Sequence, residues 1–281
     1  MSTPESYGQP WNPPPAEPKP AEPLGAKRTA VKGSGRIQYL NSFRFVFTNP
    51  DWLKNLLIGG LVMLIPVLNQ LVMLGYSYEI TELLHRRPGS TYPLFEFNRF
   101  ATYIQRGVWA FLITFLVQNI VGPLMNVVVQ MVMFGTMAAF DADETTGTIV
   151  AAIVIPIVGL GCLLLIVGMT LVLTPLMLRA GLAQDFGQAF KFGWIKDFIK
   201  RMWLETIFVN IFVILTSMMF VPLGCLAFCY GGLVMAFFMS LAGAHLNWQL
   251  YELYLDRGGE PIPLKPLPAD VPPVMTPTKD V

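Results

Sequence analysis

Two long apolar runs separated by a short acidic turn dominate the hydrophobic pattern of the chain. Residues 108–140 and 145–178 contain no charged side chain, and the acidic turn 141–144 lies between them. Each run is longer than the roughly 20 apolar residues that a helix needs to cross a bilayer core. The pattern therefore predicts two antiparallel transmembrane helices joined outside the membrane, over residues 108–138 and 149–178.

A further apolar run near the end of the chain is too long for one helix. Residues 206–251 are 46 residues without Asp, Glu, Lys or Arg. A single helix of that length would measure about 69 Å, more than twice the thickness of the hydrocarbon layer. The chain must fold back, and Pro222-Leu-Gly224 is the natural turn. This predicts two more spans, over residues 205–220 and 224–245.

The first apolar segment, residues 53–78, is interrupted by Pro66 and has basic residues on both flanks. Proline removes a backbone hydrogen bond within a helix. Positive charge favours the cytoplasmic side of a membrane, and a single span would place one basic flank outside. We therefore predict a re-entrant helical hairpin that turns near Pro66 with both ends cytoplasmic. An ordinary span remains the alternative.

Amphipathic stretches outside these runs predict interfacial helices over residues 36–48, 94–106 and 183–203. The last shows the clearest pattern, because apolar residues recur every four positions: Phe186, Phe190, Trp194, Phe198 and Met202. Such a stripe suits either the membrane surface or the core of a soluble domain. With spans on both sides we predict the membrane surface, where each flanking cation favours anionic lipid by about 1 kcal/mol. The predicted headgroup contacts are Lys191, Lys196, Lys200 and Arg201.

The ends of the chain are rich in proline and poor in apolar residues. We predict disordered tails over residues 1–35 and 259–281, flanking a transmembrane domain over residues 36–258. The predicted outside turns carry no Lys or Arg, and every basic cluster falls on the other side. The predicted fold is an all-α polytopic transmembrane helix bundle with interfacial helices. It belongs in the cell membrane with both termini in the cytoplasm.

Composition supports a membrane protein and excludes some other classes. Only 13% of the 281 residues are charged, against about 25% in a typical soluble protein. The net charge of +1 argues against a nucleic-acid partner. All three cysteines, Cys162, Cys225 and Cys229, lie within apolar runs, so they do not form the disulfide framework of a secreted domain.

The chain contains several distinctive short motifs: Asn49-Pro-Asp-Trp-Leu-Lys54, Ile65-Pro-Val-Leu-Asn69 with the preceding Gly59-Gly60, Leu74-Gly-Tyr76, Arg179-Ala-Gly, Phe190-Lys-Phe-Gly193 and Ala242-Gly-Ala-His-Leu-Asn-Trp-Gln-Leu-Tyr251. With these motifs the chain resembles a prokaryotic family of multi-pass membrane proteins catalogued as domain of unknown function four thousand and thirteen. The resemblance covers roughly residues 36–258. It implies an integral membrane protein, and it carries no catalytic or binding residue over to this chain.

Polar groups within the predicted spans are few, and the interior of each span contains no Asp, Glu, Lys or Arg, since Glu205 lies at the edge of its span. A proton- or cation-coupled pump is therefore disfavoured, because such proteins carry ionisable groups in their spans. Asn119, Asn126 and Gln130 fall on one face of the span over residues 108–138. We interpret this face as a source of hydrogen bonds between helices. The alternative is that it lines a path for a neutral or amphipathic substrate.

Small residues repeat every four positions along the last span: Gly232, Ala236, Ser240 and Ala244. Such a seam lets another helix approach closely. We favour packing within the chain over packing in a homodimer. His245, at the inner end of the seam, is interpreted as a hydrogen-bonded interfacial histidine rather than a metal ligand or pH sensor. The sequence contains no recognised catalytic motif or zinc-ligand spacing, so we predict no catalytic residue, metal or cofactor.

The patterns together favour a non-enzymatic membrane component that organises lipid or partner proteins. Its expected partners are the lipid bilayer, including anionic lipids, and other membrane proteins. A transporter or permease-like protein for a small or lipidic substrate is the alternative, favoured by the proline-broken helices. A membrane enzyme that uses headgroup-level residues such as Asp185, Asp197 and His245 has the least support.

Overall fold

The regular secondary structure of the protein is helical. The computed structural model describes residues 35–227 and 229–266. Within those residues there are eight α-helices, one 3-10 turn at Phe97–Arg99 and no strand. The predicted all-α fold class is confirmed. The helices are α1 (Tyr39–Val46), α2 (Trp52–Val62), α3 (Leu68–Arg86), α4 (Phe100–Ala142), α5 (Glu144–Ala183), α6 (Phe186–Ala189), α7 (Phe192–Ala227) and α8 (Cys229–Asp256).

Four of these helices, α4, α5, α7 and α8, are long and apolar enough to cross a membrane. The longest, α4, has 43 residues and is about 64 Å long. The most apolar stretch of α5 has a mean hydropathy of 3.0, and none of it is buried inside the protein. A large outward-facing apolar surface of this kind requires lipid rather than water around it. The chain is therefore an integral membrane protein.

The α4–α5 pair forms an antiparallel hairpin that turns at Asp143. The Asp143 carboxylate caps α5 by accepting hydrogen bonds from the backbone N–H of Thr146 at 2.8 Å and from its hydroxyl at 3.0 Å. These two bonds stabilise the ionised carboxylate and lower the pKa of Asp143. The acidic turn thus begins α5 through an ordinary N-cap.

The α7–α8 pair forms a second antiparallel hairpin, whose turn lies further along the chain than the sequence analysis predicted. Helix α7 continues through Pro222 to Ala227, and α8 begins at Cys229. Gly224 serves close packing instead of a turn, since a Cβ on it would lie 2.5 Å from the Gly231 carbonyl oxygen. The two glycines let the two backbones approach closely just below the tip of the hairpin.

A sharp break separates α2 from α3 at the predicted position. Val67 has φ 65° and ψ −53°, and the Leu68 N–H donates to the Pro66 carbonyl oxygen at 2.7 Å. This geometry is that of a γ-turn, which reverses the chain within three residues. The Asn69 side-chain amide donates to the Met63 carbonyl oxygen at 3.2 Å. The polar side chain thereby satisfies a carbonyl that the broken helix leaves without a partner.

The two ends of the α2–α3 segment lie together. The Asn49 side-chain amide donates to the Tyr92 carbonyl oxygen at 2.9 Å, and the Tyr92 hydroxyl donates to the Val46 carbonyl oxygen at 2.6 Å. Nearby, Asn55 accepts from the Phe95 N–H at 2.7 Å. Helix α2 has 11 residues and is about 16 Å long, roughly half the thickness of a bilayer core.

The predicted interfacial helices differ from the observed elements. Residues 94–106 do not form a separate helix, because α4 begins at Phe100 and runs on into its apolar part. Residues 183–203 likewise contain the last residue of α5, the short α6 and the first turns of α7. Phe95 and Tyr103 are buried, and so are three members of the predicted lipid-facing stripe: Trp194, Phe198 and Met202. These side chains pack on the protein, and α1 similarly buries Phe45 and Val46 near α8.

Residues after α8 also differ from the predicted tail over 259–281. As far as residue 266 they are described, and Ile262 is 4% exposed. The Ile262 N–H donates to the Tyr251 hydroxyl at 2.8 Å, and the Trp194 indole donates to the Glu260 carbonyl oxygen at 2.8 Å. The start of the predicted tail is thus packed across the base of α7 and α8. The tail predicted over residues 1–35 lies outside the described residues except for Gly35, as do residues 267–281.

Candidate functional site

A buried network of ion pairs joins α3 to the beginning of α4. Glu79 is 1% exposed and accepts a bidentate pair from Arg99, with Nη1–Oε1 at 2.8 Å and Nη2–Oε2 at 3.0 Å. Arg106 is 2% exposed and lies against both carboxylates of α3: its Nη1 is 3.8 Å from Glu79 Oε2, and its Nη2 pairs with Glu82. Two buried acids therefore face two buried bases, and their charges balance.

The network continues to the edge of the protein and to α8. Arg86 donates through its Nε to Glu82 Oε1 at 2.8 Å. His85 Nδ1 lies 2.5 Å from Glu252 Oε1 on α8. Through these contacts the end of α3 is bound to both α4 and α8. Matched charges in a low-dielectric interior favour one register of the helices. A shift of one helix would separate the pairs and leave buried charges uncompensated, which is strongly unfavourable.

Helical spacing explains how the chain brings these charges together. Glu79, Glu82 and Arg86 are three and four residues apart, so they share one face of α3. Arg99, the last residue of the 3-10 turn, directly precedes α4, and Arg106 follows it by seven residues within α4, so both face the same side of α3. In the sequence, the arginines after α3 were interpreted only as a basic cytoplasmic flank of the first apolar segment, so the network was missed. The heptad spacing of the charges was the signal that could have revealed it.

Directly above the network the backbones of α3 and α4 touch. A Cβ built on Gly75 would overlap the Tyr103 carbonyl and lie 3.0 Å from the Gly107 backbone nitrogen. A Cβ on Gly107 would overlap the Leu71 carbonyl and lie 2.8 Å from the Gly75 nitrogen. Both glycines are needed because no side chain fits between the helices, and this contact sets the distance at which the ion pairs meet.

His245 lies in a small polar cluster between α1 and α8. Its Nδ1 is 2.9 Å from Gln249 Nε2 and 3.1 Å from the Ser42 hydroxyl. An amide nitrogen can only donate, so Nδ1 is the acceptor and the imidazole is neutral with its proton on Nε2. The ring also stacks on Phe45 with centroids 4.4 Å apart. Among the described residues no group of three or more His, Cys, Asp or Glu is placed to hold a metal.

The predicted polar face of α4 points away from the rest of the protein. Asn119, Asn126 and Gln130 are all exposed. Their hydrogen bonds stay within α4: Asn119 donates to the Phe115 carbonyl at 2.8 Å, and Gln130 donates to Asn126 Oδ1 at 2.8 Å. The face therefore neither bonds to a neighbouring helix of the chain nor lines a space between helices of the described structure.

The four predicted headgroup cations have different surroundings. Lys191 pairs with Glu260 at 2.8 Å, and Arg201 pairs with Asp197 at 2.8 Å. Lys196 and Lys200 are exposed on one side of α7. Phe192 and Trp203 flank them on that side, with exposures of 72% and 49%. This exposed face was not recognised in the sequence, because the more regular stripe on the buried side of the same helix masked it.

The predicted small-residue seam of α8 faces other helices of the same chain. Gly232 lies against the Cys225 side chain of α7. Ser240 Oγ is 3.1 Å from Ser77 Oγ on α3, and the Ala244 carbonyl accepts from the Thr81 hydroxyl at 3.2 Å. Ala236, the fourth member, is partly buried between these contacts. The seam thus lies where α3 and α7 approach α8.

Comparison with known proteins supports the resemblance seen in the sequence. No curated protein and no solved structure matches the chain significantly. A family model described as a protein of unknown function, DUF4013, matches residues 58–242, which is more than half of the chain. These residues include the Gly75–Gly107 contact and the buried ion pairs that Glu79 and Glu82 form with Arg99 and Arg106. The protein belongs to the DUF4013 family of proteins of unknown function.

Proposed function

We propose that the protein is a non-enzymatic membrane component that gathers anionic lipid at the cytoplasmic surface through one face of α7. The observation that carries the proposal is the set of four exposed residues on that face: Phe192, Lys196, Lys200 and Trp203. They are four, four and three residues apart, so they form one stripe. Aromatic and cationic side chains in one exposed stripe are typical of a helix at the headgroup level.

The opposite side of the same helical turns is fixed to the protein, which holds the stripe in place. Trp194 and Phe198 are buried, and both rings pack against Tyr254 of α8 with centroids 5.1 and 5.0 Å apart. The lysine stems can lie along the apolar surface and extend their ammonium groups to the phosphates. Within the described part of the chain neither Lys196 nor Lys200 forms an ion pair, so both charges are available to a lipid.

Neutralising these two lysines tests the proposal. Two cations near an anionic surface contribute about 2 kcal/mol, so the Lys196→Gln, Lys200→Gln variant is expected to bind anionic lipid about 30-fold more weakly. The measurement is titration of the detergent-purified protein with a fluorescent phosphatidylglycerol analogue.

The matched control removes two other lysine charges that already have partners within the protein. Lys191 is paired with Glu260, and Lys265 donates to the Gln184 carbonyl at 2.8 Å. The Lys191→Gln, Lys265→Gln variant loses the same net charge, and it is expected to keep most of the lipid affinity. Equal losses in both double variants would contradict a specific role for the α7 stripe.

We also propose that the α2–α3 segment is re-entrant and that both termini are cytoplasmic. The support is the meeting of residues 46–49 with Tyr92, together with the short length of α2. At the other end of the chain, the Gln38 N–H donates to Gln249 Oε1 at 2.6 Å, so the start of α1 and the end of α8 are neighbours. All basic clusters then lie on the same side as the α7 stripe.

Cysteine labelling checks this topology. Single cysteines would be introduced at exposed positions in a cysteine-free background, as Arg87→Cys, Lys196→Cys and Thr145→Cys. An impermeant maleimide added to intact cells is expected to label only Thr145→Cys, and permeabilised cells should label all three. Labelling of Arg87→Cys from outside would mean that the α2–α3 segment crosses the membrane.

A transporter for a small or lipidic substrate is the second candidate, because of the break at Val67. Helices broken within the membrane are common in transport proteins, where the break lines a binding site. A lipid-scrambling or solute-flux assay on proteoliposomes separates the two functions. Flux above that of empty liposomes would favour transport over lipid organisation.

A further inference from the structure

The amides of α4 lie where a bilayer offers them no partner. Asn119, Asn126 and Gln130 are near the middle of the charge-free run 108–140, so the hydrocarbon core surrounds them. Residues on the α5-facing side of this stretch, such as Met125 and Val128, are partly buried, whereas the amide side is exposed. At 100° per residue the three amides lie opposite α5. They therefore face outward from the hairpin, toward lipid.

The same face of α4 contains further polar groups that lack a hydrogen-bond partner. Pro123 has no N–H, so the Asn119 carbonyl lacks its usual helical donor. The Asn126–Gln130 bond uses one donor and one acceptor, and the other polar atoms of these two side chains bond to nothing else in the described part of the chain. Polar groups left unsatisfied in hydrocarbon are strongly unfavourable, so a lipid-facing surface of this kind calls for a polar partner at the same depth.

We propose that this face of α4 binds the same face of α4 in a second copy of the chain. A second copy with the same topology necessarily places its own Asn126 and Gln130 at the same depth, whereas a partner of unrelated sequence need not have polar groups there. A two-fold axis along the membrane normal would run the two α4 helices parallel and set like residues opposite each other. Amides are both donors and acceptors, so identical faces are complementary.

The backbone on this face permits the close approach that such pairing needs. Gly122 lies between the amides, and a Cβ added to it would meet nothing within 4 Å. A glycine beside polar side chains is typical of contacts between transmembrane helices. The proposal is independent of lipid binding by α7, which involves another helix.

Cysteine crosslinking at two neighbouring methionines tests the proposal. Met133 is seven residues after Asn126 and shares its face, whereas Met131 is five residues after it and points about 140° away. Both are exposed, by 57% and 70% respectively. In a cysteine-free background in native membranes, oxidation is expected to give a disulfide dimer of twice the chain mass for Met133→Cys and at least tenfold less for Met131→Cys.

A second variant separates pairing from folding. Asn126→Leu with Gln130→Leu is expected to raise the dimer dissociation constant in liposomes about tenfold, measured by energy transfer between labelled chains. The melting temperature in detergent should not fall, because these amides bond only within α4. Equal crosslinking at both methionines, a Met133→Cys product containing another protein, or an unchanged dissociation constant would each overturn the proposal.

Discussion

Replacing Glu79 with glutamine is expected to lower the free energy of unfolding by about 3–5 kcal/mol. Glu79 is 1% exposed and is the shared carboxylate for Arg99 and Arg106. Without its charge, two guanidinium groups lose their shared carboxylate in a low-dielectric interior, and the neighbouring Glu82 is already paired with Arg86 and Arg106. Thermal unfolding of the detergent-solubilised protein, followed by circular dichroism, measures the loss.

An exposed ion pair provides the control for this substitution. Lys191 and Glu260 pair at 2.8 Å, but their side chains are 50% and 57% exposed. Glu260→Gln is therefore expected to cost less than about 1 kcal/mol, as surface pairs do. Replacing both Glu79 and Arg99 with methionine should recover part of the loss, because no unmatched charge is then left between them. Similar losses for Glu79→Gln and Glu260→Gln would contradict the role assigned to the buried network.

Adding one methyl group at Gly75 is expected to have the second largest effect. The new Cβ would overlap the Tyr103 carbonyl, with its carbon 2.7 Å away. Backbone atoms cannot rotate aside, so α3 and α4 would have to separate, and the Glu79–Arg99 pair one turn below would lengthen. Overpacking of this kind costs about 1–3 kcal/mol and occasionally more. The measurement is again the melting temperature in detergent.

Gly168→Ala is the matched control, because it adds the same methyl group within a helix. Gly168 lies in α5, and a Cβ on it would have nothing within 4 Å. Alanine is favoured over glycine in a helix by about 1 kcal/mol, so this variant should melt at the same temperature or higher. If Gly75→Ala were as stable as Gly168→Ala, the close contact of α3 with α4 would be disproved.

The membrane-crossing helices could be predicted from the sequence because length without charge is a local property. The runs 108–140 and 145–178 each exceed what a bilayer requires, and both are within single continuous helices. The helix ends were predicted less well. Helices α4 and α7 begin before their apolar parts, because their first turns are held by contacts with α3 and α8 that no local pattern records.

Amphipathic periodicity did not distinguish lipid from protein as the neighbour of a helix face. Trp194, Phe198 and Met202 recur every four residues, and this period predicted a position at the membrane surface. They are buried against Tyr254 and the residues after α8. Burial of an apolar stripe is favourable in either place, so its period alone cannot identify what covers it.

The buried ion-pair network shows the same limit for charged residues. The arginines that follow α3 were interpreted only as a basic cytoplasmic flank of the first apolar segment, because positive charge beside apolar runs favours that side of the membrane. Whether a charge is solvated or buried depends on a partner 20 or more residues away in the chain, as for Arg99 and Glu79. That pairing exists only after α3 and α4 cross at their glycines.

The sequence by itself determined the family, the all-α class and the presence of helices that cross a membrane, because each follows from residue type and charge-free length along one segment. Only the tertiary structure decided which polar residues are buried, which face of α7 is left exposed, and that the amides of α4 point away from the rest of the chain. These properties depend on which segments of the folded chain lie side by side, and a single stretch of sequence contains no record of its neighbours.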